Sequence, residues 1–272
     1  MIKKFREDKV IYKLMKITTL HTELSCFQEA NSGFSLLIEV AGKRILFDLS
    51  YRNDIYKNAE KAGISLGNID YIVLSHSHID HTEGLRFFDF AQAKNLLAHP
   101  DCFKDVYHGG NFIGCALKVD YLKRKTNVIL SKEPYWIEKD KVVFLGEIPR
   151  KNNFEAQNPV GNLQSGEADF VLEDSAIAIK TKQGIVIITG CSHSGICNII
   201  EYAKVVCGEN KIHSIIGGFH LFEDALIEKT IAYLKTQDVG SIYAAHCCSD
   251  FGFKKFSTIG SKRLKTLETI EF

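Results

Sequence analysis

Apolar residues fall into short runs in the first and last thirds of the chain, and these runs predict strands and helices. In the first third, two candidate strands are joined by the turn Ala41-Gly42-Lys43, which predicts a hairpin. A stretch with helical spacing follows. The elements predicted in this third are strands 14–20, 34–40, 44–48 and 71–75, and helices 53–63 and 83–93.

The last third alternates regularly between apolar strands and helices. The predicted strands are 184–189, 212–216 and 241–245, and the predicted helices are 195–207 and 224–236. This order is typical of strand–helix units in which the helices cover a sheet. We therefore expect an α/β arrangement in this part of the chain.

The middle of the chain, about residues 100–168, shows no clear period. Residues 149–168 are rich in Asn, Gly and Pro and predict a long loop, either a lid over a site or a disordered segment. No linker or internal repeat divides the 272 residues. We therefore expect residues 1–272 to form a single domain.

The charge balance limits the partners. The chain has 34 basic and 33 acidic residues and a formal net charge of +1, so no long-range field attracts nucleic acid. A basic cluster in the middle of the chain is interpreted as a solvated surface; it comprises Lys118, Lys123, Arg124, Lys125 and Lys132. The expected partner is a small-molecule substrate, and the sequence leaves the oligomeric state open.

Hydropathy and cysteine usage indicate the cellular compartment in which the protein is expected. No run of about 18 apolar residues is present, so we expect no membrane span. Residues 1–9 are charged and no apolar core follows them, so we expect no signal peptide and a cytoplasmic protein. No CxxC pair occurs, which fits reduced thiols. The 8 cysteines are Cys26, Cys102, Cys115, Cys191, Cys197, Cys207, Cys247 and Cys248.

The most informative motif is His76-Ser-His78-Ile-Asp80-His81, which directly follows an apolar run. A strand that ends in a tight loop can bring these four side chains to a common point. Imidazole and carboxylate ligands suit zinc, iron or manganese rather than calcium. The motif therefore predicts two transition-metal ions close together, a hydrolytic arrangement.

Other histidines also follow predicted strands. His76, His193, His220 and His246 lie at or just beyond the ends of strands 71–75, 184–189, 212–216 and 241–245. The carboxyl ends of neighbouring strands share one edge of a sheet, where such folds build their sites. Histidines that only filled a core would be scattered along the strands. We therefore expect the four histidines to share one site.

Three further segments carry a resemblance to a known family. They are Thr189-Gly-Cys-Ser-His193-Ser-Gly-Ile-Cys-Asn198, Ile216-Gly-Gly-Phe-His220-Leu and His246-Cys247. With the 76–81 motif they resemble the metallo-β-lactamase superfamily, and within it the dihydropterin-methyl-aminobenzene-phosphate synthase-like branch. The resemblance covers roughly residues 30–250. It implies an α+β fold, an αββα sandwich with metals at one edge of the two sheets.

The sequence departs from the family pattern at several points. Cys191 stands where the family usually has a bridging Asp, and a thiolate there could bridge because it binds zinc well. His193, two residues on, is favoured over Cys191 as the ligand, because an imidazole reaches further and tolerates oxidation. Glu83 replaces a common Gly, and Cys248 and Ser249 replace the Thr and Gly that usually follow the last motif. His99 is interpreted as structural.

The resemblance implies a set of ligands and roles. The first ion is assigned to His76, His78 and His193, and the second to Asp80, His81 and His246. His220 is either a bridging or additional ligand or the general acid that protonates a leaving group, a role to which histidine is suited. Asp48 is assigned to fix an imidazole tautomer, with a plain turn residue as the alternative.

The function implied is that of a dinuclear metal-dependent hydrolase, most simply with zinc, and with manganese or iron as alternatives. A metal-bound hydroxide would act on a small phosphorylated or phosphodiester metabolite, with Asp80 and His220 as the catalytic residues. The first alternative is a transferase that joins a pterin to a phosphoribosyl aromatic amine. Its aromatic pocket has five candidate residues: Phe112, Tyr135, Trp136, Phe154 and Phe219. The second is a non-catalytic metal-dependent sensor or a diiron oxidoreductase.

Overall fold

The computed structural model describes residues 15–23 and 33–272. The charged stretch 1–9, Leu14 at the start of the first predicted strand, and Cys26 lie outside the described residues.

The described residues form strands and helices in the following order. The strands are β1 (Lys16–Thr22), β2 (Phe34–Val40), β3 (Lys43–Phe47), β4 (Ile69–Val73), β5 (Ala93–Ala98), β6 (Val106–His108), β7 (Asn111–Phe112), β8 (Asn127–Leu130), β9 (Tyr135–Glu138), β10 (Val142–Phe144), β11 (Gly161–Leu163), β12 (Ala168–Asp169), β13 (Ala176–Thr181), β14 (Gly184–Thr189), β15 (Ile212–Gly217), β16 (Val239–Ala244), β17 (Lys262–Arg263) and β18 (Thr269–Glu271). The helices are α1 (Asp54–Lys61), α2 (Ile79–Thr82), α3 (Val119–Lys123), α4 (Ile196–Cys207), α5 (Asp224–Lys235) and α6 (Asp250–Ser257).

Two seven-stranded sheets make up most of the fold. The first has the order β18-β1-β2-β3-β4-β5-β8, and the second has the order β17-β16-β15-β14-β13-β10-β9. In both, an antiparallel part is followed by parallel strands: β3, β4, β5 and β8 in the first sheet, and β14 to β17 in the second. The parallel strands are joined through helices and turns that cover the outer faces.

Three layers of apolar side chains hold the sheets and helices together. Between the two sheets, residues such as Phe34 and Phe47 of the first sheet pack with Ile188 and Ile216 of the second. A second cluster joins the outer face of the second sheet to α4, α5 and α6, and a third joins the outer face of the first sheet to α1 and α3. This arrangement confirms the predicted αββα sandwich.

The parallel strands bring their carboxyl ends to one edge. Thr189 at the end of β14 pairs with Gly217, which pairs with Ala244 at the end of β16. In the first sheet, Phe47 at the end of β3 pairs with Val73 at the end of β4. The turns that follow these strands therefore leave the sheets at the same level, which is the edge predicted to hold the site.

The middle of the chain is more regular than its sequence indicates. β6, β7, β11 and β12 form a third, four-stranded sheet; β11 lies within 149–168 and β12 begins at residue 168. The long predicted loop is therefore interrupted by the pairing of β11 with β6. These strands are only two or three residues long, and β11 pairs with a strand more than fifty residues away, so no local period specifies them.

The predicted helix 83–93 is wrong. A single α-helical turn, α2, is followed by short 3-10 turns at Glu83–Phe87 and Phe90–Gln92, and β5 begins at Ala93. Gly84 lies directly against Leu49, where a Cβ would overlap the Leu49 carbonyl oxygen, and residues 93–98 pair with β4 and β8. Packing and strand pairing thus override the local helical spacing.

Within residues 15–23 and 33–272, no helix has the length and apolar character needed to cross a membrane.

Gly217 provides a test of how the edge is built. Its φ is +138°, and a Cβ would overlap the carbonyl oxygen of Thr189 on the neighbouring strand. Gly217→Ala should therefore lower the free energy of unfolding by at least about 3 kcal/mol in a urea titration. Gly42→Ala is the matched control, because φ is +77° there and no atom lies within 4 Å of the added carbon. It should cost about 1–2 kcal/mol, and equal losses for the two variants would contradict the close approach.

Candidate metal centre

The turns at the common edge have an unusual backbone. Asp48, Ser192, His220 and His246 all have φ between +46° and +60°, although none is glycine. Such conformations cost of the order of 1 kcal/mol or more for most side chains, and they cluster at functional sites. Each of these residues follows a strand of the two sheets, so left-handed residues occur in the turns at the predicted edge as well as elsewhere in the described chain.

The first group of ligand candidates comprises His76, His78 and His193. Their ligand atoms lie within 4.8 Å of one another. The ring centroids are 4.6 Å apart for His76 and His78, and 4.8 Å apart for His193 and each of the other two. All three side chains are buried. The structure therefore brings together the three residues assigned to the first ion.

The second group comprises Asp80, His81 and His246. The Nε2 of His246 lies 3.0 Å from the Oδ2 of Asp80 and 3.1 Å from the Nε2 of His81. The Nε2 of His81 lies 3.8 Å from the Oδ2 of Asp80. These distances are those of ligands around a common ion, and the three residues are the ones assigned to the second ion. That the two groups bind metal stays a prediction.

Asp48 orients a histidine of each group, one directly and one through Ser75. Its carboxylate accepts hydrogen bonds from the Ser75 backbone N–H (2.7 Å), the Ser75 hydroxyl (2.7 Å) and the Nδ1 of His81 (2.7 Å). The Nδ1 of His76 lies 2.8 Å from the same hydroxyl. Because their Nδ1 atoms are engaged, His81 and His76 present Nε2 to the site. This is the outer-shell support expected of a metal-binding imidazole.

Cys191 lies between the two groups. Its Sγ is 3.1 Å from the Nε2 of His81, and its ligand atom falls within 4.8 Å of those of both His76 and His81. His76 belongs to the first group and His81 to the second. The thiol therefore occupies the position that a bridging ligand needs, as the sequence prediction allowed.

His220 belongs to neither triad. Its ring centroid is 4.3 Å from that of His193, but its ligand atom groups with the sulfur atoms of Cys191 and Cys247. This placement favours a ligand role among thiols over a place in the two assigned groups. Because Cys247 and Cys248 directly follow His246, the sequence predicts that one of them lies close to the metal ligands, and the structure places Cys247 there.

Burial sets the protonation of the first group. Burial lowers the pKa of His78 to about 3 and lowers the pKa of His76 and His193 well below the usual range, with help from neighbouring histidines. Burial also lowers the pKa of His81, but the carboxylates of Asp80 and Asp48 outweigh this effect and raise it to about 9. The first group is thus neutral at pH 7 and ready to coordinate, whereas His81 must release a proton to bind an ion.

The donor set fits transition metals. Within the described part of the chain, the buried Nε2 of His76 and both ring nitrogens of His193 have no hydrogen-bond partner. Burying such groups unpaired costs roughly 1–3 kcal/mol each, which an ion would offset. Imidazoles, one carboxylate and a thiol are ligands for zinc, iron or manganese rather than for calcium.

A pocket of about 310 Å³ opens beside the first group. Its lining includes His193 and His220 from the candidate centre and the aromatic rings of Phe154, Phe219 and Phe222. Of the five aromatic residues predicted for a pocket, Phe154 and Phe219 line it. Phe112, Tyr135 and Trp136 do not; they lie in β7 and β9. Phe222, which packs edge-on against His220 at 5.0 Å, was missed.

A carboxylate holds the wall of this pocket in place. Glu155 is buried and accepts hydrogen bonds from the backbone N–H groups of Cys197 (3.0 Å) and Asn198 (3.2 Å) at the start of α4. In return, the Asn198 side chain accepts the backbone N–H of Lys151 at 2.9 Å. Gly195 leaves room for the Glu155 side chain, because a Cβ at position 195 would overlap it. The Gly and Asn that follow His193 in its motif thus fix the loop at 151–155.

His99 has the structural role predicted for it. Its Nδ1 accepts the backbone N–H of Asp101 at 3.1 Å, and its Nε2 lies 3.3 Å from the carboxylate of Glu147. It is absent from the ligand groups found among the described residues.

Asp48 gives a test of the candidate centre that leaves every proposed ligand in place. Asp48→Asn keeps the shape but removes the charge that holds Nδ1–H of His81. We expect the affinity for zinc to fall by about 10- to 100-fold in a competition titration with a chromophoric chelator. Asp70→Asn is the control, since Asp70 accepts hydrogen bonds from Arg44 and Lys94 away from the site. Unchanged zinc affinity in Asp48→Asn would contradict this account.

Comparisons with known proteins agree with the geometry. A family model described as the metallo-beta-lactamase superfamily matches residues 29–206. A 7,8-dihydropterin-6-methyl-4-(beta-D-ribofuranosyl)-aminobenzene-5'-phosphate synthase of Methanocaldococcus jannaschii is 34% identical over 266 residues, covering 88% of each chain. An uncharacterized protein of the same organism is 36% identical over 243 residues, covering 85% of this chain and 88% of the relative.

A crystal structure of a metal-dependent hydrolase of the beta-lactamase superfamily has a TM-score of 0.80 and 26% sequence identity to this chain. The match covers 95% of this chain and 99% of that one. The sequence match, the shared fold and the close relatives all lead to the same family, and the chain belongs to the metallo-beta-lactamase superfamily.

Proposed function

We propose that the protein is a metal-dependent hydrolase with two divalent transition ions, most simply zinc, that acts on a small phosphorylated or phosphodiester metabolite. The observation that carries this proposal is the pair of three-donor groups, His76/His78/His193 and Asp80/His81/His246, with a thiol between them. Two such groups at one edge of a sandwich are the arrangement that a dinuclear hydrolytic centre requires.

Two bound ions would lower the pKa of coordinated water to about 7 and polarise a phosphoryl oxygen. The chain's own residues prepare this centre. Asp48 and Ser75 orient the imidazoles of His81 and His76, and burial keeps His78 neutral. The protein thus supplies preformed ligands, so that little reorganisation is needed when ions and substrate bind.

The pocket beside the first group is the candidate substrate site. Among the described residues that line it, none is Lys or Arg. The N-terminus of α4, which could otherwise attract an anion, is already occupied by the carboxylate of Glu155. A phosphoryl group would therefore be neutralised by the ions, while the organic part of the substrate would pack against the phenylalanines.

The hydrolase proposal is tested with zinc- or manganese-loaded protein on generic phosphodiester substrates. His78→Ala removes one donor of the first group and should lower kcat/KM by at least about 100-fold, more than loss of an outer-shell partner costs. His213→Ala is the matched control, since His213 lies on β15 and contacts Thr181 and Phe272. Equal turnover by His78→Ala and the parent protein would eliminate the proposal.

A second candidate is a synthase that joins a pterin to a phosphoribosyl aromatic amine. It is favoured by the 34% identical relative with a synthase name, and by the three phenylalanines in the pocket. Rings of this kind stack on planar heterocycles. Both candidates use the same centre, and they differ in what the pocket accepts.

Pterin binding separates the two candidates. If the pocket accepts a pterin, titration with protein should quench the fluorescence of a dihydropterin, and Phe222→Ala should weaken its binding by about 10-fold, as expected for loss of one stacking ring. Phe251→Ala serves as control, because Phe251 is 51% exposed and lies in α6. Absence of quenching at high protein concentration would count against the synthase.

A further inference from the structure

We propose that Cys191, His220 and Cys247 form an additional, sulfur-rich metal position that takes a thiophilic divalent ion such as zinc. It shares Cys191 with the two groups described above but is otherwise distinct from them. The proposal concerns ligand geometry and holds whether the protein is a hydrolase or a synthase.

The three donors come from three turns and converge. Cys191 follows β14, His220 follows β15 and Cys247 follows β16, and their ligand atoms lie within 4.8 Å of one another. Both cysteines are 4% exposed, and both are free thiols. Bonds of about 2.0–2.3 Å from an ion to nitrogen and sulfur permit such separations. The geometry is thus that of a site which an ion would draw together.

The backbone is shaped to admit the Cys247 sulfur. Gly218 has no side chain, and a Cβ there would lie 2.5 Å from the Sγ of Cys247 and 2.6 Å from the Gly190 carbonyl oxygen. The backbone N–H of His220 points to the same sulfur at 3.2 Å. An N–H bond to sulfur stabilises the thiolate form, which is the form that binds metals. Gly218 therefore gives the Cys247 sulfur its space, and the turn at His220 gives it a hydrogen-bond donor.

The donor chemistry differs from that of the neighbouring groups. Two sulfurs and one imidazole favour a softer ion than three imidazoles, or two imidazoles with a carboxylate, do. A closed zinc site has four ligands, and this one supplies three. His220 also lines the pocket, so the fourth ligand would come from solvent or from a molecule held there.

Other buried cysteines do not share this setting. Cys102, Cys115, Cys197 and Cys207 are buried, and none joins a ligand group among the described residues. They behave as small core residues, and Cys207 at the end of α4 supplies a control thiol.

Cobalt titration of the full-length protein tests the proposal. Co²⁺ bound by thiolates gives a near-ultraviolet sulfur-to-cobalt charge-transfer band, and metal analysis counts the bound ions. We expect Cys247→Ser to bind one ion fewer per chain than the parent and to lose at least half of the band, because the Cys247 thiolate is gone and Cys191 keeps only its contacts with ions of the other two groups. The Cys207→Ser variant should keep the parent's number of bound ions and its full charge-transfer band. Cys247→Ala is a second variant, and circular dichroism shows whether each variant is folded.

His78→Ala separates this proposal from the proposed function. It removes a donor of the first group, so it should lose an ion while keeping the part of the charge-transfer band that Cys247 contributes. A parent protein without the band, or a folded Cys247→Ser variant with the full band and the full number of ions, would overturn the sulfur-rich position. A Cys191–Cys247 disulfide in protein purified under reducing conditions would overturn it as well.

Discussion

The buried carboxylate of Asp48 is the interaction on which the site depends. It receives hydrogen bonds from Ser75, two residues after β4, and from His81 in α2. Gly190 of the second sheet packs against the same point, where a Cβ would lie 3.1 Å from the Asp48 carboxylate. One charge, fully shielded from water, thus aligns elements from both sheets. Its cost of burial is offset by these bonds and by the adjacent histidine.

The second constraint is the closeness of the turns. The registers of β14, β15 and β16 place their ends side by side, and glycines at 190, 217 and 218 allow backbone and sulfur to approach without side chains between them. The strained residues Ser192, His220 and His246 follow immediately. Donors from separate segments can converge only because the backbone tolerates this crowding, which links the conformational strain to the chemistry of the edge.

The candidate metal centre and the pocket would control different properties, namely the choice of ion and the choice of substrate. The imidazole, carboxylate and thiol donors define which ions the edge can hold, and they would serve hydrolysis and synthesis equally. In the proposed function the pocket would distinguish substrates through its phenylalanines, the absence of Lys and Arg among its described lining residues, and the Glu155 carboxylate bound at the start of α4. Fold and centre are therefore shared across the superfamily more readily than substrate is.

The spacing of apolar residues determined the main strands and helices of the last third, because such periods act locally. The sandwich and the two donor groups were implied by the resemblance of the short histidine motifs to the metallo-β-lactamase superfamily. It did not determine β5 and β8, which pair with strands more than twenty residues away, nor β13 and the short strands of the third sheet. It predicted a helix at 83–93, where the packing of Gly84 and strand pairing prevail. Only the tertiary structure decided that His220 groups with Cys191 and Cys247, and that Glu155 holds the pocket wall. Contacts of that kind join residues from different elements, so no local pattern encodes them.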